Sequence, residues 1–156
     1  MQRLRGFLGL LGWIVVCFAA AQIGAIFRPG EWYAGLAKPS WNPPNNWFAP
    51  VWIALYAMMA VAAARVWRLK GFRGAGVALG LFLIQLALNA SWSFLFFGLH
   101  RPGWALLDIV LLWLAIAATI LEFRRHDRFA AGLLLPYLAW VSFATALNVA
   151  IWRLNR

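Results

Sequence analysis

Long apolar runs alternate with short, charged connections along the whole chain. A helix that crosses the hydrocarbon core of a bilayer needs about 20 residues, within a range of about 17–25. Five runs have this length and predict membrane-spanning helices at residues 6–27, 47–67, 75–98, 103–122 and 129–152. Because the connections are too short to hold a soluble domain, we expect residues 1–156 to form a single all-α membrane domain, a five-helix bundle.

The composition agrees with a membrane location. Apolar residues make up 65% of the chain and charged residues 12%, whereas an ordinary soluble domain has about 45–50% and about 25%. A soluble domain of 156 residues could not bury this much apolar surface, since small domains leave much of their surface exposed. The composition therefore excludes soluble globular proteins and disordered proteins. The single cysteine, Cys17, excludes an internal disulfide.

The formal net charge of +10 comes from 14 Lys and Arg residues against 4 Asp and Glu residues. The cations lie between apolar runs and form no contiguous basic surface, so we expect no nucleic-acid partner. The N-terminus and the second and fourth connections together hold 9 Lys and Arg residues, and the other side holds 5. The positive-inside rule therefore predicts a cytoplasmic N-terminus and a C-terminus outside.

The longest connection, residues 28–46, is rich in proline and aromatic residues. Its prolines prevent a continuous helix, because proline fixes φ and lacks a backbone donor. The large aromatic side chains in or directly after it are Trp32, Tyr33, Trp41 and Trp47. They fit either an aromatic belt at the level of the lipid headgroups or a folded lid that closes one end of the bundle.

The third predicted span has two contrasting faces, since residues three and four apart share a face of a helix. One face carries Gln85, Asn89, Trp92 and Phe96. Buried amides in hydrocarbon need partners, so the two amides form either a hydrogen-bonded clamp between helices or part of a ligand cavity. The opposite face carries Gly76, Gly80, Ala87 and Ala90. Small residues permit close helix packing, either inside the monomer or in a homodimer.

Three other spans carry aromatic stripes at helical spacing. They are Trp52, Tyr56, Met59 and Ala63; Trp104, Asp108, Leu111 and Ala115; and Tyr137, Trp140, Ala144 and Asn148. Each stripe is either core packing or one wall of a pocket, and four such stripes beneath an aromatic connection favour a ligand pocket. Asp108 is either a functional intramembrane acid or a buried hydrogen-bond partner near a helix N-terminus.

Patterns for metal binding or conventional catalysis are absent from the sequence. His100 and His126 fall on opposite sides of the predicted membrane, so they cannot share a metal ion. The spacing of the serines suggests no Ser-His-Asp arrangement, and no glycine-rich phosphate loop is present. We therefore expect no metal site and no required cofactor.

Five segments carry specific motifs in chain order: EWYAGLAKPSWNPP (31–44), PVWIALY (50–56), QLALNASWSFLFFG (85–98), GWALLD (103–108) and PYLAWVSFATALN (136–148). These segments resemble the translocator protein family, the TspO/MBR family, whose bacterial members are called tryptophan-rich sensory proteins. The resemblance implies a multi-pass bacterial membrane protein, usually dimeric, with a ligand pocket beneath the first long loop. It places pocket positions at Trp52, Asn89, Trp92, Trp104, Asp108, Trp140 and Ala144.

The helix faces and the resemblance together predict a site and a ligand. The expected ligand-binding residues are Trp41, Trp47, Trp52, Tyr56, Asn89, Trp92, Trp104, Asp108, Tyr137, Trp140, Ala144 and Asn148, and the expected dimer interface is Gly76, Gly80 and Ala87. Family members bind porphyrins, haem-related tetrapyrroles and sterols. The resemblance therefore implies a porphyrin or haem ligand, bound for sensing, transport or regulation, with its carboxylates near Arg28 or Lys38.

Two other hypotheses stay open. One is an enzyme that promotes light-dependent porphyrin breakdown through Trp52 and Trp140, and the other is an assembly protein with an incidental pocket. The sterol-recognition stretch of the family includes a tyrosine near the C-terminus, and residues 147–153 contain none. Because that pattern is weak even when intact, its loss puts sterol binding in doubt and leaves tetrapyrrole binding unaffected.

Overall fold

The chain folds into helices and short connections in the computed structural model, which describes all 156 residues. Helix α1 spans Gln2–Ile26, the short helix α2 spans Glu31–Ala34, and a 3-10 turn spans Asn45–Trp47. Helix α3 spans Phe48–Ser93 and continues as a π-helical segment, Phe94–Gly98, and it is followed by α4 (Pro102–His126), α5 (Arg128–Leu133) and α6 (Leu135–Leu154). The prediction of an all-α fold is confirmed.

Four helical stretches are long and apolar enough to cross a membrane: Gln2–Ile26, Asn45–Gly98, Pro102–His126 and Arg128–Leu154. The sequence predicted five spans. The numbers differ because the second and third predicted spans both fall within the 54-residue stretch Asn45–Gly98. A straight helix of that length would measure about 80 Å, whereas the hydrocarbon core is about 30 Å thick.

The long stretch is not straight, because the backbone leaves the helix at Gly71, where φ is 60° and ψ is −176°. Glycine tolerates this positive φ since it has no Cβ atom. The halves on either side fold back on each other. Tyr56 Oη donates a hydrogen bond to Asn89 Oδ1 at 2.9 Å, and Gln85 Nε2 contacts Met59 Sδ at 3.6 Å. We call the two antiparallel halves α3a (residues 48–70) and α3b (residues 72–93).

Small side chains allow close packing in the core of the bundle. Ala60, Ala63 and Ala78 are completely buried where α3a and α3b meet their neighbours, and small residues at such positions let helix backbones approach closely. Phe82 of α3b stacks on Phe123 of α4 with ring centroids 5.8 Å apart. This tight packing fills one end of the bundle and leaves space at the other end, beneath residues 28–46.

The small-residue face of α3b lies on the outside of the protomer. A Cβ atom added at Gly76 or Gly80 would meet no atom within 4 Å, and Ala87 is exposed. The alternative that this stripe packs inside the monomer is therefore wrong. The homodimer interface at Gly76, Gly80 and Ala87 stays a prediction.

Candidate functional site

Residues 28–46 fold over the end of the bundle as a lid. Tyr33 is only 5% exposed and meets Phe96 and Phe97 edge-on, with ring centroids 6.2 and 5.5 Å away. Trp32 stacks on the ring of His100 at 4.3 Å. Burial raises the pKa of the Tyr33 phenol, so its hydroxyl stays neutral at ordinary pH. These contacts favour the lid interpretation over a belt for this part of the segment.

One side chain ties the lid to the C-terminal end of α6. Asn155 Oδ1 accepts a hydrogen bond from the backbone N–H of Ala37 at 2.9 Å, and Asn155 Nδ2 donates to the Ala37 carbonyl at 2.9 Å. The same Nδ2 donates to the carbonyl of Ile151 at 2.7 Å, which orients the amide. Asn155 was not among the predicted site residues, because it lies beyond the last predicted span and belongs to no periodic stripe.

A cavity of about 450 Å³ lies beneath the lid, within the range of about 300–1,000 Å³ found for small-molecule pockets. Helices α1, α3a, α3b, α4 and α6 all contribute to its lining. The predicted site residues that line it are Trp52, Tyr56, Asn89, Trp92, Trp140, Ala144 and Asn148. The structure thus brings together residues that are up to 96 positions apart in sequence.

Three indoles dominate the aromatic wall of the cavity. The rings of Trp52 and Trp140 meet edge-to-face, with centroids 6.4 Å apart and an interplanar angle of 88°. Trp92 stacks on Phe96 at 5.1 Å, and its Nε1 donates to Asn148 Oδ1 at 3.0 Å. The indole N–H groups of Trp52 and Trp140 have no hydrogen-bond partner in the protein. Two donors are therefore free on these tryptophans.

A chain of buried hydrogen bonds supports the floor of the cavity. Tyr56 donates to Asn89, Asn89 Nδ2 donates to Tyr137 Oη at 2.7 Å, and Tyr137 donates to Gln85 Oε1 at 2.7 Å. Gln85 and Tyr137 are each 1% exposed and lie behind the cavity surface. Gln85 is therefore part of an interhelical clamp, while Asn89 belongs both to that clamp and to the cavity lining.

Five predicted site residues do not line the cavity, which corrects the predicted lining. Tyr137 lies behind the cavity surface, Asp108 is buried elsewhere, and Trp41, Trp47 and Trp104 are exposed. Trp104 is 62% exposed, Trp47 is 59% exposed, and Trp41 is 47% exposed. Trp104 lies on the first turn of α4, where that face is not covered, whereas Asp108 lies one turn further along and is buried. Trp47 projects from the 3-10 turn, and Trp41 packs edge-on against Phe143 at 5.7 Å.

Asp108 is buried between α4 and α3b, outside the cavity lining. Its Oδ1 accepts a hydrogen bond from Ser91 Oγ, and its Oδ2 has no partner. Of the two interpretations of this acid, a buried hydrogen-bond partner near the start of α4 agrees with the geometry.

Helix α1 contributes a part of the cavity wall that was not predicted from the sequence. Phe18, Ala21 and Gln22 line the cavity, but α1 carries no aromatic stripe that would have indicated this. At the mouth, Arg28 lines the cavity, whereas Lys38 does not. The Lys38 ammonium instead donates to the carbonyl of Leu36 at 3.1 Å. Arg28 is therefore the cation placed to meet an anionic ligand group.

The sequence is similar to known proteins over most of its length. The sequence model of the family described as TspO/MBR family matches residues 13–153, which include the lid and every cavity-lining residue. The chain is 44% identical over 144 residues to Protein CrtK of Rhodobacter capsulatus, covering 92% of this chain and 90% of that protein. It is 43% identical over 145 residues to the Tryptophan-rich sensory protein of Cereibacter sphaeroides, covering 93% and 90%. It is 48% identical over 138 residues to the Translocator protein of Homo sapiens, covering 85% and 82%.

Proposed function

Since this chain belongs to the TspO/MBR family, a family of membrane proteins, we propose that it binds a porphyrin or haem in the cavity beneath the lid. The names of its relatives, a sensory protein and a translocator protein, support a role in sensing, transport or regulation. No further cofactor is needed for this role, because binding alone would carry it.

The observation that carries the proposal is the pairing of perpendicular indoles with free N–H groups. A planar macrocycle that lies flat on Trp52 would meet the edge of Trp140, and aromatic rings favour both offset-stacked and edge-to-face contacts. The free indole N–H groups can donate to polar atoms of the ligand. At the mouth, the guanidinium of Arg28 can form a paired hydrogen bond with a propionate carboxylate.

The membrane arrangement is part of the same proposal. Half α3a has 23 residues. The regular part of α3b begins after Ala75, where the backbone is again non-helical, and with the π-helical segment it reaches Gly98, another 23 residues. Each extends about 30–35 Å, enough to cross a hydrocarbon core of about 30 Å. With α1, α4 and α5–α6 they form five spans, with the N-terminus cytoplasmic. The exposed Gly76, Gly80 and Ala87 offer a close-packing face for a homodimer.

Filling the cavity tests the proposal. Ala144 lines the cavity, and Ala146 of the same helix is exposed on the outside. Overpacking by a larger side chain costs about 1–3 kcal/mol, so we expect Ala144→Leu to weaken binding of protoporphyrin IX by about fivefold or more. Ala146→Leu, the matched control, should leave affinity unchanged. Tryptophan quenching during titration of the purified protein measures both.

The same titration separates binding from catalysis and from an incidental pocket. A porphyrin spectrum that stays constant in darkness and under light supports a binding protein. Loss of the porphyrin absorption that requires both light and intact protein would instead favour degradation through Trp52 and Trp140. Equal affinities of wild type, Ala144→Leu and Ala146→Leu would place the porphyrin outside this cavity.

A further inference from the structure

A second concave surface lies at the other end of the bundle, on the outside, between the N-terminal half of α1 and the turn of α3. It is a groove of about 860 Å³. Leu8 and Val16 of α1 line one side, and Phe72 and Leu83 line the other. These four side chains are between 40% and 56% exposed. Leu83 lies seven residues after Gly76, so the groove borders the face of α3b that is proposed above for a homodimer. The groove shares no lining residue with the cavity beneath the lid.

Two glycines of α1 give the groove its depth. Trp67 packs directly on the backbone at Gly9, where an added Cβ atom would come within 2.3 Å of the indole ring. At Gly12 an added Cβ atom would meet nothing within 4 Å, so the groove is open there. From Leu4 to Val16 the helix rises about 18 Å. This is close to the depth of one bilayer leaflet, about 15 Å of hydrocarbon.

Cations lie at the end of the groove where the headgroups would be. Arg5 lines the groove, and its guanidinium carbon is 5.6 Å from the centroid of the Trp67 ring. The Cδ atom of Arg68 is 3.3 Å from the Cβ position of Gly6, so this side chain lies along α1 beside Arg5. Neither arginine forms an ion pair within the protein.

The acidic residues at this end are already paired with other arginines. Asp127 Oδ2 is 2.7 Å from Arg65, and Glu122 is 3.0 Å from Arg125. Burial acts to raise the pKa of Asp127, but its hydrogen bonds from Arg65 and two backbone amides outweigh burial and lower it. Asp127 therefore stays ionised and paired with Arg65, and neither acid at this end of the bundle is left to neutralise the cations at the groove.

We propose that the groove binds one anionic glycerophospholipid of the bilayer. Its phosphate would lie between Arg5 and Arg68, since a guanidinium matches phosphate geometry with two parallel hydrogen bonds. One acyl chain would run along the apolar trough past Gly12 towards Val16. The trough alone would accept any acyl chain, so the two cations select an anionic headgroup over a zwitterionic one.

Native mass spectrometry of the full chain tests this lipid site. The purified protein is mixed with phosphatidylglycerol or with phosphatidylcholine of the same acyl chains, and the bound lipid is counted. We expect about tenfold stronger retention of phosphatidylglycerol, and loss of that preference in the Arg5→Gln/Arg68→Gln double variant. The matched control is Arg101→Gln/Arg153→Gln, which removes two unpaired cations elsewhere and should keep the preference.

A groove-filling variant separates the trough from general surface charge. A Cβ atom added at Gly12 meets no protein atom within 4 Å, so we expect Gly12→Leu to fold normally by circular dichroism and to reduce retention of both lipids. Equal retention of the two lipids by the wild type, or equal loss in the Arg101→Gln/Arg153→Gln control, would overturn the proposal. A fall in the dimer fraction of Gly12→Leu with lipid retention unchanged would assign the groove to a second copy of this chain, which also overturns it.

Discussion

Replacing Asn155 with alanine removes both hydrogen bonds that hold the lid residue Ala37 to the end of α6. A hydrogen bond within a protein contributes about 0.5–1.5 kcal/mol net. Asn155 and Ala37 are both exposed, so water can replace the lost partners and the low end of the range applies. Two such bonds give about 1 kcal/mol, which raises the equilibrium constant for lid opening by about fivefold.

Hydrogen exchange and ligand release measure this change at two different places. The amide of Ala37 is protected only through Asn155 Oδ1, so its exchange should accelerate strongly in Asn155→Ala. Bound protoporphyrin IX should dissociate about fivefold faster, because the ligand leaves through the open lid. Asn155→Asp keeps an acceptor for the Ala37 amide and loses the donor to the Ala37 carbonyl, so its release rate should fall between the two.

The matched control is Asn46→Ala, which removes another exposed asparagine that makes no side-chain hydrogen bond. It should leave both exchange at Ala37 and porphyrin release unchanged. Faster exchange at Ala37 with an unchanged release rate would show that the lid does not control ligand exit. Unchanged exchange at Ala37 in Asn155→Ala would refute the hydrogen-bonded tie itself.

Three further outcomes follow from the same structure. Trp140→Phe should weaken porphyrin binding by several-fold, because a buried aromatic contact contributes about 0.5–1.5 kcal/mol. Trp104→Phe, on the exposed face, should leave porphyrin binding unchanged. Equal titration curves for the two variants would contradict the placement of the porphyrin in the cavity. The Gly76→Leu/Gly80→Leu double variant should lower the dimer fraction in lipid, measured by crosslinking, because Leu holds helix backbones apart. Asp127→Asn should lower thermal stability at neutral pH. Since the folded-state pKa of Asp127 is depressed, the difference in stability from the wild type should shrink as the pH falls below about 4. A difference in stability that does not depend on pH would contradict the ion pair.

Apolar run length and helical spacing were enough to predict the helices. Seven of the twelve predicted site residues line the cavity, but most of the other residues that line it were not predicted. Trp52, Asn89 and Trp140, each from a different predicted stripe, line the cavity because each lies at least one turn inside a packed helix, where one face must meet the core. The prediction for Trp104 is wrong because this residue lies on the first turn of α4, where the neighbouring helices no longer cover that face. Periodicity therefore predicts burial well within a span and poorly at its ends.

Other features depend on contacts that no local pattern encodes. The tie between Asn155 and Ala37 joins residues 118 positions apart, and each is unremarkable in its own segment. The part of the cavity wall that Phe18 and Ala21 form was missed, because α1 has no stripe of polar or aromatic residues. The turn at Gly71 was predicted only as a charged connection, whereas the structure confines the change of direction to a short kink with non-helical backbone at Gly71 and Ala75.

Helix α6 and the residue that follows it contribute to the wall, the floor and the lid of the candidate site. Trp140 forms the wall, Tyr137 supports the floor through Asn89, and Asn155 holds the lid through Ala37. Because a helix moves largely as a rigid unit, a small shift of α6 would change the wall, the floor and the lid together. A ligand that contacts Trp140 therefore has a physical route to the lid about four helical turns away, and a binding protein needs such a coupling if occupancy of its cavity is to be read from outside.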